Sequence, residues 1–172
     1  MFVVSILGEH KAYEFADKIP LDKCIADILE DEVDEKYYLS EEVQNRLTTM
    51  QAELRGPKVL RYERTEYGKS IRKQYEKGEI KEKICNMREM KPREDGISNT
   101  ITTVQKDNYL LEPTYRIRKL TPRECFRLMG LKDDDIDKIQ QAGISNAQQY
   151  KMAGNSIVVD VLEVIFKNLF LD

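Results

Sequence analysis

The chain has 172 residues and a formal net charge of −3; 41% of its residues are hydrophobic and 34% are charged. This is the size of one domain with a modest core, which excludes wholesale disorder. Because no apolar run approaches the ~20 residues of a transmembrane helix, and because the start of the sequence lacks the features of a signal peptide, we expect a cytoplasmic protein outside the membrane.

The beginning of the chain predicts one strand and one short helix. Phe2–Leu7 is a nearly continuous apolar run, typical of a strand that is buried on both faces inside a larger sheet. Pro20 opens a short helix that has Ile25 and Ile28 on its apolar side. The acidic stretch Glu30–Glu35 then predicts a loop.

Charge is distributed unevenly along the chain. Glu9–Glu42 holds twelve acids and four bases, whereas Arg55–Arg93 holds thirteen bases and six acids. A basic middle between acidic flanks favours contact with a polyanion. The alternative is a solvated helical surface, since lysine and glutamate alternate through Lys77–Lys83. Three tyrosines lie among these bases and suit either nucleic-acid backbone contacts or a small core: Tyr62, Tyr67 and Tyr75.

The middle of the chain predicts short elements. Glycine and proline interrupt the basic segment, at Gly68, Gly78 and Pro92 among other positions, which excludes one long helix. Thr100–Val104 and Tyr109–Leu111 are β-branched or apolar runs, and they predict two strands joined by a short connection.

The last third of the chain has the clearest helix signals. Thr121 can cap a helix whose first residue is Pro122, with Glu124 completing a capping box and Gly130 ending the helix. The sequence thus predicts both ends of this helix.

Three further helices follow. Asp133–Ala142 predicts one that Gly143 stops, and Ser145 with Gln148 forms a second capping box that opens another. The last helix is amphipathic, because its apolar residues recur at helical spacing: Val158, Val161, Leu162, Ile165, Phe166 and Leu169.

The few cysteines and the single histidine exclude several kinds of site. Cys24, Cys85 and Cys125 lie far apart without a C-x-x-C pair, so they predict neither a disulfide framework nor a zinc site and fit a reducing compartment. His10 argues against histidine-rich metal sites and histidine-based triads, and we expect it in a surface loop. We therefore expect no metal site.

Two blocks in the last third are more specific than their helix signals. The first is Arg118–Gly130, RKLTPRECFRLMG, and the second is Gln148–Val159, QQYKMAGNSIVV. In this order and at this spacing they resemble motifs IX and X of the DNA (cytosine-5)-methyltransferases. Phe2–Ile6 resembles the strand that follows motif VIII of that family, and Ser98–Val104 resembles the stretch that closes its target recognition domain.

The resemblance covers nearly the whole chain and implies an α+β fold. Residues 1–40 would be a strand and a helix that continue from a catalytic lobe missing from this sequence. Residues 41–115 would be a small target recognition region with short strands that binds DNA. Residues 116–172 would be the motif IX and motif X helices, which in the family pack on a Rossmann-like lobe that uses S-adenosyl-L-methionine to methylate cytosine.

Several motifs of the family are absent from the sequence. None of the cysteines follows a proline, so the Pro-Cys nucleophile that would add to the cytosine ring is missing. Glu-Asn-Val, Gln-x-Arg-x-Arg and a G-x-G cofactor turn do not occur either. The resemblance therefore implies the C-terminal portion of such an enzyme, inactive by itself, with an incomplete S-adenosyl-L-methionine site. Its partners would be double-stranded DNA, the missing catalytic lobe or a separate N-terminal fragment, and a second copy of itself through exposed apolar surface.

The resemblance also implies roles for single residues. Asn155 and Ser156, in the motif X turn, would contact S-adenosyl-L-methionine, and Gly154 would let the backbone turn there; the alternative is a helix-start turn capped by Ser156. Thr100 would contact a phosphate near the flipped base, unless it is simply a β-branched strand residue. Six bases in the variable recognition region would bind phosphates or guanine edges: Arg55, Arg61, Arg64, Lys69, Arg72 and Lys73.

The other motif residues would be structural. Gln148 and Tyr150 would fix the preceding helix, and Cys125 would be buried as a packing residue. Four motif IX residues would organise the recognition lobe through capping and ion pairing: Arg118, Thr121, Glu124 and Arg127.

Two functions from different classes remain open. The first is part of a DNA cytosine methyltransferase of a restriction-modification or phage system. The second is a stand-alone DNA-binding or specificity module that uses the same lobe without methylation. The gene sequence upstream of Met1 distinguishes them, because the missing motifs in the same or an adjacent frame would favour the first.

Overall fold

The computed structural model describes residues 7–8, 13–17, 20, 22–47, 56–81, 88–103 and 108–170. Within these ranges the fold is α+β, as predicted, and two 3-10 helices, Ile25–Ile28 and Glu35–Tyr37, come first. The other elements are α1 (Glu41–Leu47), β1 (Lys58–Arg64), α2 (Glu66–Glu76), β2 (Arg88–Pro92), β3 (Tyr109–Leu111), β4 (Ile117–Lys119), α3 (Pro122–Leu128), α4 (Asp133–Gln141), α5 (Asn146–Asn155) and α6 (Val159–Phe170). None of the helices among the described residues is long and apolar enough to cross a membrane.

The sheet has the strand order β2-β1-β3-β4, and every neighbouring pair is antiparallel. Leu60 of β1 lies opposite Pro92 of β2 on one side and Tyr109 of β3 on the other. Strand β3 also pairs with β4. Strands β1 and β3 are therefore central, with both of their edges occupied.

The pleat of the sheet divides the apolar core into two clusters, because successive strand residues face opposite sides. Val59 of β1 and Leu110 of β3 belong to the larger cluster, whereas Leu60 and Leu111, the next residues, belong to the smaller one. The larger cluster is completed by the first 3-10 helix and the C-terminal part of the chain: Ile25, Ile28, Leu120, Cys125, Phe126, Met129, Ile136, Tyr150 and Ala153. This cluster joins the sheet to the helices that carry the two sequence motifs.

The predicted N-terminal helix is one short 3-10 helix. Its two isoleucines, Ile25 and Ile28, are buried as expected. The acidic stretch after it forms a loop as far as Glu35, where the second 3-10 helix begins. The predicted strand at Phe2–Leu7 lies outside the described residues except for Leu7, which is fully exposed and belongs to no strand.

The start and end of the first predicted helix of the last third are confirmed, and of the second predicted capping box the structure shows the Ser145 cap. Thr121 caps α3 by accepting a hydrogen bond from the Glu124 amide at 3.2 Å, and the Glu124 carboxylate accepts one from the Thr121 amide at 2.8 Å, which completes the capping box. Gly130 follows α3 with a φ of +85°, a left-handed conformation that favours glycine. Ser145 caps α5 by accepting a hydrogen bond from the Gln148 amide at 3.4 Å.

Helix α6 is amphipathic as predicted, but its far end is not covered. Ile165 is buried, whereas Phe166 is 51% exposed and Phe170 is 75% exposed. Phe166 belongs to the predicted apolar stripe, so the described part of the fold leaves a section of that stripe open to solvent.

The predicted strand at Thr100–Val104 is wrong for its described part, residues 100–103, which forms no strand. Tyr109–Leu111 is a strand as predicted, but both edges of this strand are already paired, with β1 and β4. The segment therefore has no free edge to join there. It crosses helix α5 instead, where backbone atoms of Thr102 and Thr103 lie against Gly154.

Candidate functional site

Five of the six predicted DNA-binding bases lie on β1 and α2, which together with β2 we call the basic hairpin. Arg61 and Arg64 are exposed residues of β1. The other three are exposed residues of α2: Lys69, Arg72 and Lys73. Arg55, the sixth predicted base, lies outside the described residues.

Helix α2 is solvated along its whole length. Thr65 caps it by accepting a hydrogen bond from the Gly68 amide at 3.1 Å, and none of its residues is buried. Tyr67 and Tyr75 are 58% and 43% exposed, so these two tyrosines do not form a small core. A solvated helix of 11 residues is marginal by itself. Binding to a partner would therefore stabilise it.

Three of these five bases already have a carboxylate partner. Lys69 pairs with Glu66 at 2.6 Å and Arg72 pairs with Glu76 at 2.5 Å, both within α2. Arg61 is also in an ion pair on the surface of β1. Such exposed pairs contribute only ~0–1 kcal/mol each, so a phosphate can replace the carboxylate at a small cost in free energy.

Arg64 and Lys73 differ from the other three bases. In the part of the chain that the structure describes, neither has a carboxylate within ion-pair distance. Both side chains are exposed. Their charges are available to an anion without the loss of an existing pair, and this ranks them first among the predicted bases.

Electrostatic interactions link helix α2 of the basic hairpin to its edge strand, β2. The hydrogen bond from Lys69 lowers the pKa of Glu66, and the charges of Lys73 and Lys91 lower it further. The hydrogen bond to Glu89 raises the pKa of Lys91, and the charge of Glu66 acts in the same direction. Because Lys91 belongs to β2 and Glu66 opens α2, the start of the helix lies near the edge strand.

Thr100 lies at the border of this surface. Asn99 donates through Nδ2 to the Leu60 carbonyl at 2.8 Å, which ties the segment to β1 directly before Arg61. Thr100 itself is exposed, and its carbonyl accepts a hydrogen bond from Asn108 Nδ2 at 3.4 Å. The structure therefore brings Thr100 close to the strand that carries the predicted bases.

Asn155 and Ser156 lie at the end of a helix and not at the start of one. Asn155 is the last residue of α5, and Ser156 closes that helix, since its amide and its Oγ both donate to the Ala153 carbonyl at 3.3 and 2.9 Å. Both side chains are exposed. The alternative of a helix-start turn is therefore wrong.

Gly154 has a different role from the predicted one. It lies inside α5 with helical backbone, so it does not turn the chain. A Cβ atom at this position would overlap the carbonyl carbon of Thr102 and would lie 2.6 Å from both the carbonyl oxygen of Thr102 and the amide nitrogen of Thr103. Only glycine permits the segment to pass here, and we call this contact the Gly154 crossing.

The motif IX residues form a buried network. Arg118 is 1% exposed and donates through both Nη atoms, each at 2.8 Å, to the fully buried carboxylate of Glu124. Its Nε donates to Glu112 at 2.7 Å. The Glu124 carboxylate also accepts from the amides of Thr121 and Glu30, at 2.8 and 3.0 Å. Burial lowers the pKa of Arg118, but the bonds to Glu124 and Glu112 outweigh burial and raise that pKa overall, so the guanidinium stays charged.

Arg127 and Thr121 tie α3 to the N-terminal part of the chain. Arg127 donates through Nη1 to the Ile28 carbonyl at 3.1 Å and through Nε to Asp133 at 2.8 Å. The Thr121 hydroxyl donates to the Glu30 carboxylate. The capping and ion pairing that we predicted for the motif IX residues are thus confirmed.

Tyr150 has the predicted structural role, and Gln149 shares it rather than Gln148. The Tyr150 hydroxyl is buried and donates to the Leu120 carbonyl at 2.6 Å, which fixes α5 beside the start of α3. Gln149 is 3% exposed and donates through Nε2 to the Ile144 carbonyl at 2.7 Å. Gln148 is exposed. Adjacent glutamines carry no sequence signal that tells which one turns inward.

Cys125 is buried, as predicted. Burial raises the pKa of its thiol to about 12, and the neighbouring Glu124 carboxylate acts in the same direction. Such a thiol is protonated at neutral pH and is a poor nucleophile. Cys24 is exposed, and Cys85 lies outside the described residues. Within the ranges that the structure describes, no group of three His, Cys, Asp or Glu side chains could hold a metal ion.

Comparison with known sequences tests the resemblance that motifs IX and X indicate. A family profile described as C-5 cytosine-specific DNA methylase matches residues 2–171. The chain belongs to this family. The resemblance that rests on the two C-terminal motifs is confirmed.

Named relatives show how much of a methyltransferase's length aligns with this chain. The orphan methyltransferase of Bacillus phage SPbeta is 34% identical over 186 aligned positions, which cover 86% of this chain and 42% of the relative. The type II methyltransferase M2.ScrFI of Lactococcus lactis subsp. cremoris is 32% identical over 170 positions, 99% of this chain and 40% of the relative. The orphan methyltransferase of Bacillus phage SPR is 53% identical over 72 positions, 41% of this chain and 16% of the relative. The chain therefore spans less than half the length of these methyltransferases.

Proposed function

We propose that this chain supplies target recognition, and the motif IX and motif X scaffold behind it, to an S-adenosyl-L-methionine-dependent DNA cytosine-5 methyltransferase of restriction-modification or phage type. The observation that carries the proposal is the basic hairpin, on which the exposed Lys69, Lys73 and Lys91 lie around one carboxylate, that of Glu66. Family membership supports DNA as the substrate class, and in this proposal the DNA is double-stranded. In this proposal residues 41–115 contact DNA, residues 116–172 support them, and residues 1–40 continue from a catalytic lobe.

Helix α2 is the element that we assign to the DNA groove. Its side chains are all at least partly exposed, and an α-helix fits the ~12 Å width of the major groove. Arg64 and Lys73 contact phosphates first, because neither has a carboxylate at ion-pair distance within the described part of the chain. The paired bases of α2 exchange their carboxylates for phosphates as the complex forms. Tyr67 and Tyr75 offer hydroxyl groups and flat rings for further backbone contacts.

Thr100 lies in the connection between β2 and β3, beside the basic hairpin. Its exposed hydroxyl can donate to a phosphate oxygen, while Asn99 and Asn108 hold the backbone on either side. A single hydrogen bond to a charged phosphate contributes about 1.5–3 kcal/mol. Thr100 therefore adds orientation to the mainly electrostatic attraction of the basic hairpin.

Asn155 and Ser156 are the residues that we assign to S-adenosyl-L-methionine. The Asn155 amide is exposed and offers both a donor and an acceptor, which fits the polar groups of the cofactor. Ser156 uses its hydroxyl proton for the Ala153 carbonyl, so it offers lone pairs alone. These donor and acceptor groups suit one edge of the cofactor. When bound, the cofactor supplies the methyl group, and the role of this chain is to orient it.

The isolated chain is inactive in this proposal. Methylation at cytosine C5 needs a thiolate nucleophile, and no cysteine of the sequence follows a proline as it does in the family. Cys125 is buried with a pKa raised to about 12, so it cannot serve as a substitute. The chemistry then belongs to a catalytic lobe or a separate N-terminal fragment.

The test is the salt dependence of binding to a short duplex. Binding to phosphates releases about 0.9 counterions per contact, so the slope of log affinity against log salt counts the contacts. The test variant carries alanine at Arg61, Arg64, Arg72 and Lys73. The control variant loses the same number of charges from exposed positions of the C-terminal part: Lys132, Lys138, Lys151 and Lys167.

The expected result separates the two variants. The native chain and the control should bind weakly, near the non-specific range of ~10⁻⁴–10⁻⁶ M, with the same steep slope. The test variant should have a slope smaller by about 3–4 units, because each lost phosphate contact removes ~0.9. A control that loses the slope while the test variant keeps it would move the DNA interface to the C-terminal helices and overturn the proposal.

A stand-alone DNA-binding or specificity module is the second candidate. The buried thiol and the absent Pro-Cys motif favour it, because both agree with binding that is separate from chemistry. The salt titration gives the same result for both candidates, whereas methyl transfer in the presence of a catalytic lobe occurs only for the first.

A further inference from the structure

The Gly154 crossing is the point where the recognition region meets the motif X helix. On the helix side, Ala153 is fully buried in the larger apolar cluster directly before Gly154. On the other side, Ile101 packs against the same cluster directly before Thr102. Two elements that are far apart in the sequence are therefore packed backbone against backbone at this position.

The crossing holds the segment that contains Thr100. Asn99 fixes the residue before Thr100 to β1 through the 2.8 Å bond to the Leu60 carbonyl. Asn108 donates to the Thr100 carbonyl, and Thr102 rests on α5 two residues later. Of these three restraints, the crossing is the one that a single added carbon atom would remove.

The crossing also lies between the two candidate binding sites. Thr100 precedes Thr102 by two residues, a reach of at most about 7 Å of extended chain. Asn155 directly follows Gly154 in α5. The residue assigned to a DNA phosphate and the residue assigned to the cofactor are thus joined through one backbone contact.

Gly154 is an unfavourable choice for the helix itself. Glycine in a helix interior is destabilising by about 0.5–1 kcal/mol relative to alanine, because it loses more conformational freedom on folding. Here Gly154 lies one residue before the end of α5 and has no left-handed φ that would require glycine. The close approach of Thr102 and Thr103 is the feature of the fold that requires it.

We propose that Gly154 is a positioning residue, whose missing side chain lets the Gly154 crossing hold Thr100 in the orientation that contacts DNA. The inference rests on the proposed function, because it takes Thr100 as a DNA contact. By linkage, DNA bound at Thr100 and a ligand bound at Asn155 then influence each other through the same contact. An added Cβ separates the segment from the helix and leaves both binding residues intact in sequence.

The experiment is a double-mutant cycle on the full chain. The variants are Gly154→Ala, Thr100→Ala and the combination. The matched control is Gly56→Ala, where a Cβ would meet no atom of the described residues within 4 Å. Affinity for a short duplex is measured at low salt, and amide hydrogen exchange is followed at residues 100–103. A urea titration of each variant reports its stability.

We expect Thr100→Ala to weaken binding by about tenfold, the loss of one hydrogen bond to a charged phosphate. In the Gly154→Ala background the same change should weaken binding less than about twofold, because Thr100 is already displaced. Exchange at residues 100–103 should be faster in Gly154→Ala and unchanged in Gly56→Ala. A contact that served packing alone would leave the Thr100 effect equal in both backgrounds.

Several results would overturn the inference. An equal loss from Thr100→Ala in both backgrounds, or no loss in either, removes the positioning role while DNA binding by the native chain still supports the proposed function. A higher urea midpoint for Gly154→Ala, as for an unobstructed helical glycine, would show that the crossing does not exist. If the native chain does not bind DNA, the proposed function fails, and unchanged exchange at residues 100–103 would then exclude the crossing by itself.

The combination with Asn108→Ala keeps the inference testable if Gly154→Ala does not fold. This change removes the bond to the Thr100 carbonyl and leaves the sequence of α5 unaltered. It should reduce the Thr100→Ala effect in the same direction. If Thr100→Ala weakens DNA binding as much in the Asn108→Ala background as in the native chain, the contacts around Thr100 do not position it and the inference is wrong.

Discussion

Removing one partner of the Arg118–Glu124 ion pair should destabilise the chain far more than removing an exposed pair of the same length. Arg118 is 1% exposed and Glu124 is fully buried. Arg118→Met would take two of the four hydrogen bonds from the Glu124 carboxylate and leave that charge buried. Breaking a buried pair in this way costs about 3–5 kcal/mol.

The matched control is Lys138→Met. Lys138 pairs with Asp135 at 2.8 Å, the same distance as in the buried pair, but both side chains are exposed. An exposed pair of this kind contributes about 0–1 kcal/mol. The two substitutions therefore differ in burial and not in the length of the bond.

The assay is urea unfolding followed by circular dichroism, with the melting temperature as a second measure. For a chain of this size, 1 kcal/mol corresponds to about 2–4 °C. Arg118→Met should thus lower the melting temperature by about 6–20 °C, whereas Lys138→Met should lower it by no more than about 4 °C. Combining Arg118→Met with Glu124→Leu should cost less than the sum of the single changes, because neither charge is then left alone. Equal effects of Arg118→Met and Lys138→Met would refute this account of the network.

Two further predictions concern the thiol and the open end of α6. Because the pKa of Cys125 is raised from 9.0 to about 12, the folded state holds its proton more tightly than the unfolded state does. This stability is complete below pH ~9 and is lost as the pH rises toward ~12, by about 1.4 kcal/mol per pH unit. The urea midpoint should therefore fall less steeply with pH above pH 9 in Cys125→Ala than in the native chain, whereas Cys24→Ala should leave this slope unchanged. An unchanged slope in Cys125→Ala would contradict the raised pKa of Cys125. Phe166 and Phe170 are 51% and 75% exposed, so the chain should self-associate at high concentration, and Phe166→Ser with Phe170→Ser should shift sedimentation toward the monomer. A native chain that stays monomeric at millimolar concentration would count against that apolar surface as an interface.

The elements that could be predicted from the sequence are those with local signals. Thr121, Pro122 and Glu124 stand within four consecutive positions, and hydrogen bonds over that distance decide where α3 begins. The amphipathic spacing of α6 is likewise a local property. Such signals act between residues that are close in the sequence, so they do not depend on contacts with distant parts of the chain.

The features that could not be predicted depend on contacts between distant residues. The strand expected at Thr100–Val104 has strand-forming residues, but the neighbouring strand β3 is already paired on both edges. Glu30 joins the motif IX network across 94 residues, with nothing in its acidic surroundings to mark it. Gly154 was expected to turn the chain because glycine often does, and its actual requirement, the approach of Thr102, exists in the folded chain alone.

In the candidate site, too, some features could be predicted from the sequence and others could not. The basic segment was predicted from charge, but its division into bases with an ion pair and the two without one among the described residues required the geometry of β1 and α2. Asn155 and Ser156 came from the resemblance, and their place at the end of α5 came from the structure.

The central claim is that this chain carries recognition without the chemistry, and methyl transfer tests it most directly. Labelled methyl groups from S-adenosyl-L-methionine are counted on duplex DNA for two samples, the purified chain alone and a hybrid in which it replaces the matching 42% of the SPbeta relative. We predict no transfer by the chain alone, and cytosine methylation by the hybrid at a sequence set by this chain. Transfer by the chain alone would contradict the claim, and so would a folded hybrid that binds S-adenosyl-L-methionine and methylates no DNA sequence.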